Sequence, residues 1–160
     1  MAPSITPKRW QESATETVQV VLPNDSNPLG FILGGSVMHL IDITGAIACH
    51  RHTNTLALTA CVDGLEFLHP IKVGDMIILT SRVTCTFRTS LEVEVEVFSE
   101  AIETGVRKLT SRAFLTFVSI DRDGRPQPVP PLLVETPEDE ERSRQGHARR
   151  ADRLARKRPV

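Results

Sequence analysis

The sequence predicts an α+β domain in which an antiparallel sheet of about five strands curls around one long central helix. Three observations lead there. Only Gly34 to His52 is long and apolar enough for a core helix, and its hydrophobic positions spread around nearly the whole circumference. From Leu56 to Ile120 the apolar residues alternate with polar ones, the pattern of strands. Helical and extended segments do not alternate along the chain, which sets aside a parallel doubly wound sheet.

The elements follow in order. Residues 1–15 read as a flexible N-terminus, and Glu16 to Leu22 as a first strand, stopped by Pro23, which has no amide for a ladder. Asn24 to Gly30 is dense in turn formers and makes a loop before the helix. Leu56 to Phe67 is the next strand, and Pro70 to Asp75 is the break after it. Met76 to Phe87 and Ser90 to Phe98 come next. The latter sets Glu92, Glu94 and Glu96 on one face and Leu91, Val93, Val95 and Val97 on the other. Arg107 to Ile120 closes the set, so the domain spans 16–136 and leaves 137–160 as a charged tail, partly helical or disordered. That tail holds eight Arg or Lys, Arg158 among them, against five Asp or Glu. It opens acidic and ends basic, which suits a helix dipole. Two readings stay open for it: a solvated, fraying helix, or a basic arm that holds an anionic ligand or a partner subunit.

Composition narrows the function. A chain of 160 residues with net charge −1 lacks the basic excess of a nucleic-acid binder. There is no apolar run of membrane-spanning length, and the first ten residues lack the apolar stretch of a secretory leader. Three widely spaced cysteines (Cys49, Cys61, Cys85) suit a reducing cytoplasm and packing roles better than disulfides or thiolate zinc. No nucleotide-binding loop, nucleophile elbow or H-E-x-x-H is present, so neither a cofactor nor a metal is expected.

Two features carry chemistry. Asp42 stands in the middle of the apolar helix, where a carboxylate loses hydration unless it is paired or used. The residues on its own face, among them Gly35, Gly45 and Ala46, are mostly small and leave room for a ligand or a second backbone. The alternative is a structural carboxylate that keeps two subunits in register. The second feature is Asn27-Pro28-Leu29-Gly30 followed by Gly34-Gly35-Ser36 at the helix start. Free amides there favour negative charge, and the Gly35 amide could hold an oxyanion while Asn27 orients a carbonyl or water. Any tight turn into a helix would use similar residues.

Taken together, the runs NPLGFILGGSVMHLIDITGAIACHRH, VDGLEFLHPIKVGD, TSLEVEVEV, RKLTSRAFLTFVSI and VPPLLVETPEDEERS resemble the acyl-CoA thioesterases of the hotdog superfamily. The similarity is greatest to the brain-type acyl-CoA hydrolases and their single-domain bacterial relatives, and it covers about residues 16 to 143. It implies a hotdog fold, a homodimer with shared active sites and assembly into a hexamer as a trimer of dimers. It places the family's helix aspartate on Asp42, its loop asparagine on Asn27 and its oxyanion glycine on Gly35. Phe31 and Leu33 depart from the family's frequent polar or His choices before the glycine pair, which bears on pocket shape.

The implied reaction is hydrolysis of an acyl-CoA thioester to CoA and a carboxylic acid, with CoA itself part of the substrate. Asp42 acts as general base on a water, with direct nucleophilic attack as the rival detail. Arg88, Lys108, Arg112 and Arg51 are candidates for the CoA phosphates, and Thr89 and Ser90 for the pantetheine arm. Two other readings compete. One is a non-catalytic acyl-CoA sensor on the same fold. The other is a hydratase, for which His39 is the only nearby histidine.

Overall fold

The computed structural model describes residues 5–157 and 159. Five strands, β1 (Thr15–Val20), β2 (Leu56–Phe67), β3 (Met76–Thr86), β4 (Ser90–Glu100) and β5 (Arg107–Ile120), form one antiparallel sheet in the order β1-β3-β4-β5-β2. Helix α1 (Gly34–Thr53) lies across one face of it, and a second helix, α2 (Pro137–Ala155), lies against the other.

Helix α1 is not buried all round. Val37, Ile41, Thr44, Gly45, Ala48 and His52 recur at helical spacing and meet the sheet. At Gly45 the helix lies so close that a Cβ would sit 3.3 Å from the Phe117 ring and 3.4 Å from Val95. This seam is the hydrophobic core, with Leu79, Leu91, Val93, Val97 and Leu115 all fully buried. Each such side chain stabilises the fold by about 1.5–3 kcal/mol relative to exposure. The opposite side of α1 is open, with Met38 48% and Ile43 42% exposed. The edge strand β2 is also uncovered, with Val62 exposed on the α1 face and Leu56 and Leu58 exposed on the opposite face.

The other face of β4 is not solvated either. Glu92 and Glu94 are buried beneath α2. Thr136 caps α2, its hydroxyl accepting from the Asp139 amide, and Pro137 occupies the first turn. Four arginines then tie α2 to the sheet. Arg82 from β3 meets Asp139 at 2.8 Å, Arg142 pairs with Glu94, Arg149 grips both oxygens of Glu92 at 2.8 and 3.0 Å, and Arg153 meets Asp63 at 2.6 Å. Gly146 allows the approach, since a Cβ there would fall 2.5 Å from Cys85 Sγ and 2.9 Å from Glu92 Oε1. Of the 137–160 tail, the stretch to Ala155 is therefore a docked helix, and Arg158 lies outside the described residues.

Of the segment expected to be flexible, residues 1–4 lie outside the described residues. From Lys8 onward the backbone is bonded to the 131–133 segment, and Arg9 pairs with Glu135 at 2.9 Å. The Trp10 ring lies under the Arg82 guanidinium, 3.8 Å away.

Candidate active site

Asp42 does not sit in a desolvated interior. It lies on the open side of α1 and is exposed in the single chain, because the sheet covers only the opposite stripe of the helix. Its carboxylate is held all the same. The Thr59 hydroxyl, from β2, donates to Asp42 Oδ1 at 2.6 Å, which restrains the rotamer and leaves Oδ2 without a hydrogen-bond donor among the described residues. Sequence reasoning missed Thr59. It is one hydroxyl among several in an edge strand, and its facing depends on the irregularity in the β2–β5 ladder between Thr59 and Cys61.

Asn27 is built by its loop. Its Oδ1 accepts from the amides of Leu29 (3.0 Å) and Phe31 (3.2 Å), while the backbone closes through Gly30, whose φ is +81°. The oxygen is thereby spent on the turn, and the side-chain NH₂ has no acceptor among the described residues. It lines a cavity of about 390 Å³ with Phe31, Gly34, Val37, Phe67 and His69. Helix α1 begins beside it with no side-chain cap, so the amides of Gly34, Gly35 and Ser36 have no acceptor among the described residues. Gly34, against the Phe67 ring, is the glycine that faces Asn27. Gly35 opens instead into a neighbouring cavity of about 340 Å³ with Asp25, Ser36 and His39.

One chain does not bring Asn27 and Asp42 together. Thr59, beside Asp42, is in register with Phe117 of β5, whereas Phe67, in the Asn27 cavity, is in register with Ser111. Six residues of strand, about 20 Å, separate those two rows, and along α1 Asp42 stands about 12 Å from Gly34, the helix residue beside Asn27.

The CoA candidates are also dispersed. Arg88 and Thr89 form the exposed β3–β4 turn, and Ser90 begins β4 opposite Val118. Lys108 lies ten residues away on β5, about 33 Å, so one head group on one chain reaches only one of these sets. Arg112 is occupied by Glu96 at 2.8 Å and Glu94 at 3.4 Å. Arg51 ties the end of α1 to β1 through Ala14 O and Thr15 Oγ1. The cysteines are poor nucleophiles: burial pushes the thiols of Cys49 and Cys85 up to about 12, and raises that of Cys61.

A sheet wrapped on one helix, with a carboxylate at mid-helix, an amide loop and free amides at the helix start, defines a hotdog-type thioesterase. The comparisons agree. Residues 29–106 match the thioesterase superfamily. The Bacillus subtilis uncharacterized acyl-CoA thioester hydrolase YkhA is 39% identical over 129 residues, 81% of this chain and 75% of that protein. The mouse cytosolic acyl coenzyme A thioester hydrolase is 34% identical over 89% of this chain, which spans 38% of that longer protein. An apo-hexameric acyl-CoA thioesterase superposes with TM-score 0.90 at 39% identity, over 95% of this chain and 97% of the other. The Staphylococcus aureus acyl-CoA hydrolase, with butyryl coenzyme A, coenzyme A and coenzyme A disulfide, superposes at 0.86 and 30% identity over 93% and 91%. The chain belongs to the acyl-CoA thioester hydrolases of the thioesterase superfamily.

Proposed function

We propose that this chain hydrolyses acyl-CoA thioesters at sites shared between two protomers. The Asp42 carboxylate of one protomer takes a proton from water, and the water oxygen adds to the thioester carbonyl. The Asn27 NH₂ and the uncapped amides of Gly34 and Gly35, from the partner, hold the oxyanion. Collapse breaks the C–S bond, and CoA leaves as thiolate, which takes up the proton held by Asp42. Of the CoA candidates, Lys108 and Arg112 share an end of β5 with the Asn27 cavity, whereas Arg88, Thr89 and Ser90 share the other end with Thr59. A phosphate held by one protomer and a pantetheine held by the other fits that division.

One observation carries the reading: Thr59 braces Asp42 on an open face, and helix rise puts it about 12 Å from the Gly34 amide of the same chain, too far for both to meet one thioester carbonyl. In a two-fold pairing of β2 edges, residues equidistant from the axis face each other. An axis near Asp63 would set Thr59 opposite Phe67 of the partner subunit, and so Asp42 beside a second chain's donors. The exposed apolar residues of α1 and β2 supply the surface such a pairing would bury. The hexameric relative supports further assembly as a trimer of dimers. The Staphylococcus aureus enzyme has also been solved with an aspartate, an asparagine or a threonine replaced by alanine, the residue types of Asp42, Asn27 and Thr59. No described helix is long and apolar enough to cross a membrane, and the free cysteines suit the cytoplasm.

Thiol release from acyl-CoAs tests the reaction. Asp42→Asn is expected to lower kcat by about a hundredfold or more. Mixing inactive Asp42→Asn and Asn27→Ala subunits tests the shared site. Random exchange would restore about a quarter of wild-type activity, because each hybrid dimer keeps one intact site. No recovery in verified hybrids would place both residues in one protomer's site. CoA binding without turnover at any chain length would make the protein a sensor.

A further inference from the structure

We propose that the C-terminal end of α2 and the outer face of β2 form a second binding site, for a phosphate-bearing anion, on the side of the sheet opposite Asp42. Along α2, Arg142, Arg149 and Arg153 each meet a sheet carboxylate: Glu94, Glu92 and Asp63. The next cations, Arg156 and Lys157, extend this row over β2, where the carboxylates stop. The positions beneath them are Cys61 and Thr116, paired in register, and together they line a cavity of about 500 Å³.

Neither Arg156 nor Lys157 has a carboxylate partner among the described residues. Arg156 spends only its Nε, on the Asp152 carbonyl at 3.3 Å. The floor is also incomplete. Thr116 is only 6% exposed, yet its hydroxyl has no hydrogen-bond partner among the described residues. This hydroxyl opens on the cavity with its donor and acceptor free for a ligand, and two cations without carboxylate partners above it favour negative charge. A phosphate group satisfies both, its oxygens accepting from the guanidinium, the ammonium and the hydroxyl. A carboxylate would fill fewer of these donors. The phosphate could be part of the CoA substrate or of a separate ligand, and the test distinguishes the two.

Calorimetric titration of the full chain with inorganic pyrophosphate is expected to show saturable binding. Arg156→Gln/Lys157→Gln is expected to weaken it about tenfold or more, as for lost charge-assisted hydrogen bonds. Thr116→Val is expected to weaken it severalfold. Arg122→Gln/Arg125→Gln, which removes the same charge from an exposed turn, is expected to leave it unchanged. If the α2 double variant also raises KM for acyl-CoA, the phosphate belongs to the substrate; an unchanged KM with lost pyrophosphate binding marks a separate ligand. Either supports the site. No saturable binding to wild type, or equal weakening by both double variants, would overturn it. The pyrophosphate result needs no turnover, so it stands or falls separately from the proposed hydrolysis.

Discussion

Replacing Arg149 by Met tests how α2 is held. Glu92 is 2% exposed and loses its bidentate partner in this variant, while the Thr84 hydroxyl still donates to it at 2.6 Å. Removing one member of a buried ion pair costs about 3–5 kcal/mol, because the other charge is left uncompensated. Water can follow the deleted guanidinium, since the Arg149 side chain is 23% exposed, which sets the expectation at the lower end, about 3 kcal/mol. The lost stacking of Arg149 over Phe114, 3.6 Å from the ring centroid, adds about 0.5–1 kcal/mol. Urea unfolding at fixed protomer concentration measures the sum, and alkylation of Cys85, which lies beneath α2 at Gly146, reports undocking of the helix. Glu92→Gln in the Arg149→Met background removes the stranded charge and is expected to recover more than half of the loss. A loss below about 1 kcal/mol in Arg149→Met, with Cys85 still protected, would refute the view that the ion pairs hold α2 down.

Gly146→Ala drives a methyl into Cys85 Sγ and Glu92 Oε1, and a loss of about 1–3 kcal/mol is expected on unfolding, partly relieved by Cys85→Ala. Thr59→Val is expected to lower kcat about tenfold at unchanged fold. Thr59→Ser, which keeps the hydroxyl that orients the Asp42 carboxylate, should restore the rate. His52 donates through Nε2 to the Pro130 carbonyl at 2.8 Å, and burial holds its pKa below 6.5. The unfolded chain therefore takes up this proton first. Stability is full above about pH 6.5 and declines as pH falls toward the folded pKa, a slope that thermal melts of His52→Gln should lack.

Much of the fold was legible because period and punctuation are local. The alternation through β3, β4 and β5 and the turn formers around Asn27 placed the strands and the loop to within a few residues of those observed. Two burial patterns escape a local reading for the same reason. A wheel of α1 shows apolar residues on every side, but it does not say whether a side meets this chain's sheet or another surface, so Asp42 was expected inside and lies on the open face. Likewise Glu92 and Glu94 have the alternation of a solvated face, and only the docking of α2, over forty residues later in the chain, turns them into buried ion-pair partners. The choice of Gly35 over Gly34 beside Asn27 depends on helix rotation relative to the loop, which no spacing rule supplies.

The exposure of Asp42 bears directly on the chemistry. A general base must stay ionised near neutral pH, and a carboxylate desolvated within one chain would be driven toward its neutral form. Bracing it with the Thr59 hydroxyl on an open helix face keeps the free protomer's carboxylate hydrated and oriented. In the proposed shared site water is excluded only when a second surface closes over it, and the amide groups at Asn27 and Gly34 lie on a stretch of chain that β2 pairing would bring to that place. Assembly and activation thus become one event. Activity per protomer should fall in proportion to concentration below the dimer dissociation constant, and a lone chain should hydrolyse nothing while retaining the complete α1–sheet core. A monomeric variant, made by placing Glu at Leu58 on the exposed face of β2, should unfold cooperatively and yet be inert toward thioesters. Full activity in that monomer would return the reaction to a single chain, against the 12 Å or so that helix rise puts between Asp42 and the Gly34 amide.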